Sequence, residues 1–122
     1  MIRLIEPMQG DGCSALPFSE EFRASLRAAC AEDSEIWQIY SSSFAPDHFE
    51  PSLDEWLRRS DMQVFVLFEG DELAGMSSFL AIEPARGVLE IGGTYYRPHL
   101  RGTGFNRRVK DMMLRRAFSC GI

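Results

Sequence analysis

A chain of 122 residues has room for one hydrophobic core but not for two independent ones, and its 45% apolar and 25% charged residues are the balance of a globular domain. A formal charge of −5 argues against a general nucleic-acid binder, which needs a basic surface, and is compatible with a cationic substrate. The three cysteines (Cys13, Cys30 and Cys120) lack C-x-x-C spacing and make no metal site with His48 and His99; with no membrane-length apolar run, they point to reduced thiols in a cytoplasmic protein.

In chain order, residues 2–5 alternate and predict a first strand, closed by Glu6-Pro7. Residues 8–17, with Gly10-Asp11-Gly12, predict a loop. Ser19 reads as an N-cap followed by Glu20 and Glu21 at the positive end of a helix, whose apolar face is Phe22, Leu26, Ala29 and Cys30. A second short helix is predicted over 34–42, with Ile36, Ile39 and Tyr40 on one side. Ser52-Leu-Asp-Glu55 matches a capping box, opening a helix with Leu53, Trp56 and Leu57 as its buried stripe.

Three strands follow. Residues 62–68 are almost continuously apolar, as a strand covered on both faces should be. Glu69-Gly-Asp-Glu72 is a hairpin turn, residues 73–82 return, Glu83-Pro-Ala-Arg-Gly87 turns again, and 88–96 is the third strand. Gly92-Gly93 within it suggests a bulge. A last helix is expected from Gly104 or Phe105 to about Ser119, with Phe105, Val109, Met112, Met113 and Ala117 on one flank and Leu114 and Phe118 opposite. The expected architecture is a single α/β (α+β) domain over 1–122, a mainly antiparallel sheet flanked by helices in the order β-α-α-(α)-β-β-β-α.

The stretch that organises the chain is 90–110. A strand breaks at Arg97-Pro98, passes through Arg101-Gly102-Thr103-Gly104 and continues into a helix. The first amides of a helix have no intrahelical acceptor, the macrodipole makes that end positive, and glycine lets an anion approach the backbone. No Gly-Lys-Ser/Thr follows the turn, which argues against a P-loop. Glu90 is the acid of a strand expected to be central; a carboxylate there is either a structural partner of a neighbouring element or a general base with a raised pKa. His99 is the rival base by its unperturbed pKa, but its place beside Pro98 favours an exposed loop histidine.

Arg101-Gly-Thr-Gly104-Phe-Asn106 resembles the acyl-CoA pyrophosphate loop of the GNAT superfamily of N-acetyltransferases, [Q/R]-x-x-G-x-[G/A], with Asn106 in place of the final small residue. Together with Glu90-Ile-Gly92, Thr94, Pro98, Lys110 and Ala117-Phe118, the run is similar to the RimJ/RimL-type branch. The resemblance implies that the amides of Gly102, Thr103, Gly104, Phe105 and Asn106 bind the pyrophosphate of acetyl-CoA, with Arg101 at the mouth of the loop. It implies that the strand end at Thr94, Tyr95 and Tyr96 offers backbone to the pantetheine, and that Glu90 is the catalytic base. Trp37, Tyr40 and Phe44 would border the acceptor site or simply fill the core. Arg107, Arg108 and Lys110 would approach the nucleotide phosphates, while Arg107 with Asp111, or Asp111 with Arg115, reads as an i,i+4 surface pair. No metal is required.

GNAT domains usually continue after this helix with a strand, a helix and a closing hairpin, so the chain is expected to be the N-terminal portion of that fold, and no general acid is assigned. The uncovered Leu114/Phe118 stripe and an unpaired strand edge predict a homodimer. Two functions compete: direct acetyl transfer to a primary amine (a protein N-terminus or a small amine), or a non-catalytic CoA-binding module.

Overall fold

The computed structural model describes residues 3–122. Five strands, β1 (Met8–Gln9), β2 (Ser14–Pro17), β3 (Gln63–Glu69), β4 (Glu72–Glu83) and β5 (Val88–Tyr96), pair in chain order, each antiparallel to the next. Three helices, α1 (Arg23–Cys30), α2 (Phe49–Arg58) and α3 (Phe105–Ser119), pack on the two faces of this sheet. The mixed α/β class with an antiparallel sheet is the one the sequence predicts.

Both faces are covered because β3 and β4 carry apolar side chains in both directions. Val64, Phe65, Val66 and Leu67 are all buried. On one face Phe65, Leu67 and Phe79 meet Phe105, Val109 and Met113 of α3. On the other, Met76 and Tyr95 meet Leu26 and Cys30 of α1, Trp37, Phe44, and Phe49 and Leu53 of α2. Each such large side chain contributes about 1.5–3 kcal/mol by leaving water. Arg23 ties α1 to α2 by donating to Glu50 and Asp54 at 2.6 and 2.9 Å.

Five expectations need correction. Residues 3–5 form a 3₁₀ turn rather than a strand (residue 2 lies outside the described residues). Leu4 is buried under α3, and the carbonyls of Arg3, Glu6 and Pro7 are taken by the Arg116 guanidinium at 2.6–2.8 Å, not by a neighbouring strand. The first strands instead lie inside the predicted loop. Gly10-Asp-Gly12 is their hairpin turn, closed by Gly10 N–H to Cys13 C=O at 2.8 Å with Gly12 at φ +67°.

The helix predicted over 34–42 shrinks to a 3₁₀ turn, Ile36–Gln38. Only Trp37 finds the core, Ile39 is 80% exposed, and Ser41-Ser42-Ser43 competes with helix for its own backbone. The capping box fails because α2 begins three residues before Ser52. Pro51 sits harmlessly in its first turn, Ser52 Oγ donates to Ser43 C=O at 2.6 Å, and Leu57 is exposed. Ser19 precedes a 3₁₀ turn, Glu20–Phe22, and its hydroxyl goes to Glu21 at 3.2 Å instead of capping an amide.

Elsewhere the elements follow the reading closely. α3 has the predicted flank buried, while Leu114 and Phe118 are exposed. Tyr95 lies flat on Trp37 with ring centroids 5.0 Å apart, and its hydroxyl donates to the Ala29 carbonyl at 2.6 Å inside the core. Tyr95→Phe removes one bond from that carbonyl, which keeps the Glu32 amide at 3.2 Å, so chemical denaturation is expected to show a loss of about 0.5–1.5 kcal/mol.

Candidate active site

The site begins at a bulge. Met76 pairs with Tyr95 and Ser78 with Gly92, so Ser77 alone faces both Gly93 and Thr94 and β5 carries one extra residue. Gly93 adopts φ +58°, and the six-membered ring of Trp56 lies so close that a Cβ there would come within 2.9 Å of it. Glycine is therefore required twice, for the backbone and for the ring. The bulge turns Thr94 so that its Oγ1 meets Ser77 Oγ at 2.8 Å and receives a hydrogen bond from Lys110 Nζ of α3 at 2.9 Å.

After β5 the chain makes a 3₁₀ turn, Pro98–Leu100, and then the glycine turn into α3. Gly102 and Gly104 have φ +76° and +89°, and a Cβ on either would meet nothing within 4 Å: the turn needs glycine for its backbone, not for packing. Among the described residues, the amides of Gly102, Thr103, Gly104 and Asn106 find no acceptor. Thr103 Oγ1 donates to Leu100 C=O at 2.5 Å and accepts the Phe105 amide at 3.4 Å, which stiffens the turn. Unpaired amides at the positive end of a fifteen-residue helix form an anion cradle.

The side chains around the cradle hold it in place. Phe105 is buried, with its ring edge-on to Tyr96 at 5.5 Å, so only its backbone is offered. Asn106 Oδ1 accepts from Tyr96 Oη at 2.5 Å, tying the first turn of α3 to the end of β5. Arg101 does not stand free at the loop mouth as the sequence suggests. Its Nε and Nη2 donate to the Tyr96 carbonyl at 3.0 and 2.8 Å, Nη1 meets Asp33 Oδ2 at 2.6 Å, and the guanidinium lies 5.4 Å from the Tyr95 ring centre. Asp33 Oδ1 in turn accepts the Glu35 and Ile36 amides at 3.1 and 3.2 Å, at the head of the turn that carries Trp37. Arg101 is thus a brace between the glycine turn and the 3₁₀ turn.

Hydrogen bonding from Arg101, followed by that from the Ile36 amide, holds the Asp33 carboxyl below the usual carboxylate range. A depressed carboxylate contributes above its unfolded pKa, near 4, and the contribution is lost as pH falls through the folded value. Asp33→Asn is therefore expected to flatten the acid limb of a CoA-affinity profile below about pH 4. Arg101→Lys, which keeps charge but not the fork, is expected to lower CoA affinity about tenfold at neutral pH by calorimetry.

Glu90 is not enclosed. β5 is the edge of the sheet, and the Glu90 carboxylate is exposed, beside Leu80 across the ladder, with no ion-pair partner among the described residues. The central position assumed from the sequence required a further strand beside β5. His99, half exposed, sits 3.2 Å from Glu72. Tyr95 is turned into the core below α1, so its side chain is structural. Arg108 points away from the cradle toward Glu69, at 3.5 Å, and Asp111 pairs with Arg115 at 3.0 Å on the surface.

A cleft of about 450 Å³ opens along the bulge, lined by Gly92, Gly93 and Thr94 together with Trp37, Tyr40, Trp56, Arg59, Met76 and Lys110. Trp37 and Tyr40 border it, Trp37 being at the same time part of the core with Phe44. Trp56, Arg59 and Lys110 are the cleft residues the sequence reading did not place there. Lys110 falls between one and two helical turns past the start of α3, and that spacing, with the bulge it faces, was the available signal.

An antiparallel sheet with a bulged edge strand running into a glycine-turned helix start frames the site. The chain belongs to the acetyltransferase (GNAT) family, whose profile matches residues 33–122. In fold it is similar to a probable GNAT acetyltransferase from Chromobacterium violaceum ATCC 12472 (TM-score 0.83, 24% identity, covering 96% of this chain and 62% of that one). It is similar also to the acetyltransferase from Salmonella typhimurium that modifies the N-terminal serine of ribosomal protein L7/L12 (TM-score 0.80, 16% identity, 95% and 70% covered). Mycobacterium smegmatis RimJ, in complex with CoA-disulfide, superposes with TM-score 0.72 at 15% identity, with 93% and 61% covered. The chain spans about three fifths of the length of the first of these. No curated protein matches it in sequence.

Proposed function

We propose that the chain transfers an acetyl group from acetyl-CoA to a primary amine. The observation that carries this reading is the cradle: four amides without acceptors, two left-handed glycines and a helix N-terminus converge at residues 102–106. These residues fit a diphosphate. The amides of Gly102, Thr103, Gly104, Phe105 and Asn106 would hold it, and the unpaired edge of β5 at Thr94, Tyr95 and Tyr96 would accept the pantetheine amides as an added strand. When bound, the co-substrate supplies an acetyl thioester. In direct transfer a neutral amine forms the N–C bond, the C–S bond breaks, and the amine's proton leaves to a base while the thiolate takes one up.

Glu90 is the candidate base, acting through water from its exposed position. That exposure is also what favours the second reading, a CoA-binding module without turnover. Calorimetry with CoA and thiol release from acetyl-CoA with a panel of amines test the proposal together. CoA binding with turnover that Glu90→Gln reduces at least tenfold supports the enzyme; binding without turnover supports the module; absence of binding overturns both.

The exposed Leu114 and Phe118 and the free edge of β5 support pairing with a second copy of the chain. Light scattering is expected to give a dimer that Phe118→Glu converts to monomer. Three unpaired thiols support the cytoplasmic assignment, with burial pushing Cys30 up to about 12 and out of reactive range.

A further inference from the structure

Although the chain as a whole is acidic, the cleft beside the bulge is not. Its lining carries two cations, Arg59 and Lys110, and no carboxylate. Arg59 is already neutralised by Asp61, at 3.2 and 3.4 Å. Lys110 is different: it is half-buried, its Nζ is held by the Thr94 hydroxyl at 2.9 Å, and it has no acidic partner among the described residues. A half-buried cation whose one hydrogen bond is to a neutral hydroxyl retains donors for an anion that is not part of the chain. Around it, Trp37, Tyr40 and Trp56 supply an apolar, aromatic wall.

Resting on the acetyltransferase reading, we propose that the acceptor is an α-amino acid with an apolar or aromatic side chain, its carboxylate held by Lys110 and its side chain lying among Trp37, Tyr40 and Trp56. The aromatic rings alone would also suit a cation, since ammonium groups sit well on such faces. Lys110 decides the matter, because a polyamine would bring a second positive charge against it with no carboxylate to offset either. A carboxylate reverses that sign. Burial also lowers Lys110 below the ordinary lysine value, the signature of an ammonium that has lost water without gaining a counter-charge. The same positive field disfavours the protonated form of a nearby acceptor amine, which must be neutral to attack. The cleft's 450 Å³ lies toward the small end of ligand pockets and suits a single amino acid with room for an acetyl group.

The test compares L-phenylalanine, L-phenylalaninamide and spermidine by calorimetry, with and without saturating CoA, on the wild-type chain and on Lys110→Met and Lys110→Arg. Phenylalanine is expected to bind at least about tenfold more tightly than its amide, a difference of about 1.4 kcal/mol. Spermidine is expected to be the weakest of the three. Lys110→Met should erase the preference for the acid over the amide, and Lys110→Arg should keep it. The proposal is overturned if the amide binds as well as the acid, which would favour a peptide N-terminus, if spermidine binds best, if none binds at millimolar concentration, or if Lys110→Met leaves the preference intact. CoA binding is read separately on the same protein. Loss of CoA affinity alone therefore counts against the acetyltransferase reading, and loss of the acid preference alone counts against the acceptor assignment.

Discussion

Gly75→Ala is expected to unfold the chain or leave it marginally folded, the largest stability loss of any single methyl added to this sequence. Gly75 has φ +154°, and an added Cβ would lie far inside van der Waals contact of the Tyr95 carbonyl oxygen and 2.9 Å from the carbonyl carbon. That neighbour is backbone on the paired strand and has nowhere to go: Gly75 faces Tyr96 and Met76 faces Tyr95 across the ladder. Relief requires β5 to move away from β4, which also withdraws Tyr95 from Trp37 and from the Ala29 carbonyl. The expected loss is about 3–5 kcal/mol, in the range of severe core lesions. For a domain of this size that corresponds to a fall in melting temperature of more than about 10 °C. Scanning calorimetry checks it, and a change below about 1 kcal/mol would mean that β4 and β5 are not paired as described.

Gly104→Val is expected to produce the largest loss of CoA affinity with the fold intact. At φ +89° a β-branched residue is strained by about 1–3 kcal/mol, so the turn is driven out of the conformation that aligns the amides of 102–106. Since nothing lies within 4 Å of the added carbon, the fold itself has no packing reason to fail. A loss of tenfold or more is expected by calorimetry, each factor of ten being about 1.4 kcal/mol. Gly70→Val is the control. It sits at φ +61° in the β3–β4 hairpin, again with nothing within 4 Å, and should carry similar backbone strain without touching CoA binding. Equal CoA affinity in the wild type and the Gly104 variant would remove the cradle from the argument.

Some of this was legible in the residues alone, and for physical reasons that are local. The β3–β4–β5 meander was readable because apolar runs were punctuated by glycine turns. α3 was readable because a 3.6-residue period followed two glycines. Both signals depend on neighbours a few positions apart. The bulge, too, could be anticipated from Gly92-Gly93, though not the Trp56 ring that makes Gly93 obligatory.

Tertiary structure decided what depends on partners far along the chain. Ile2–Ile5 alternates like a strand, yet Arg116, more than a hundred residues away, claims the carbonyls of Arg3, Glu6 and Pro7. The Ser52 box reads as a cap, yet the apolar anchor Phe49 starts the helix earlier. Arg101 looks like a ligand-facing cation, yet Asp33 and the Tyr96 carbonyl occupy it. Glu90 sounds buried on composition, but burial belongs to the sheet and not to the residue, and β5 is an edge. The sequence by itself determined the family, the glycine turn and the strand that feeds it, because glycine conformations and helix amides act within one stretch of chain. Only the folded chain decided the character of the cleft. A lysine on one helix, a hydroxyl on a bulged strand, a tryptophan from a 3₁₀ turn and another from α2 acquire a common chemistry when packing brings them together.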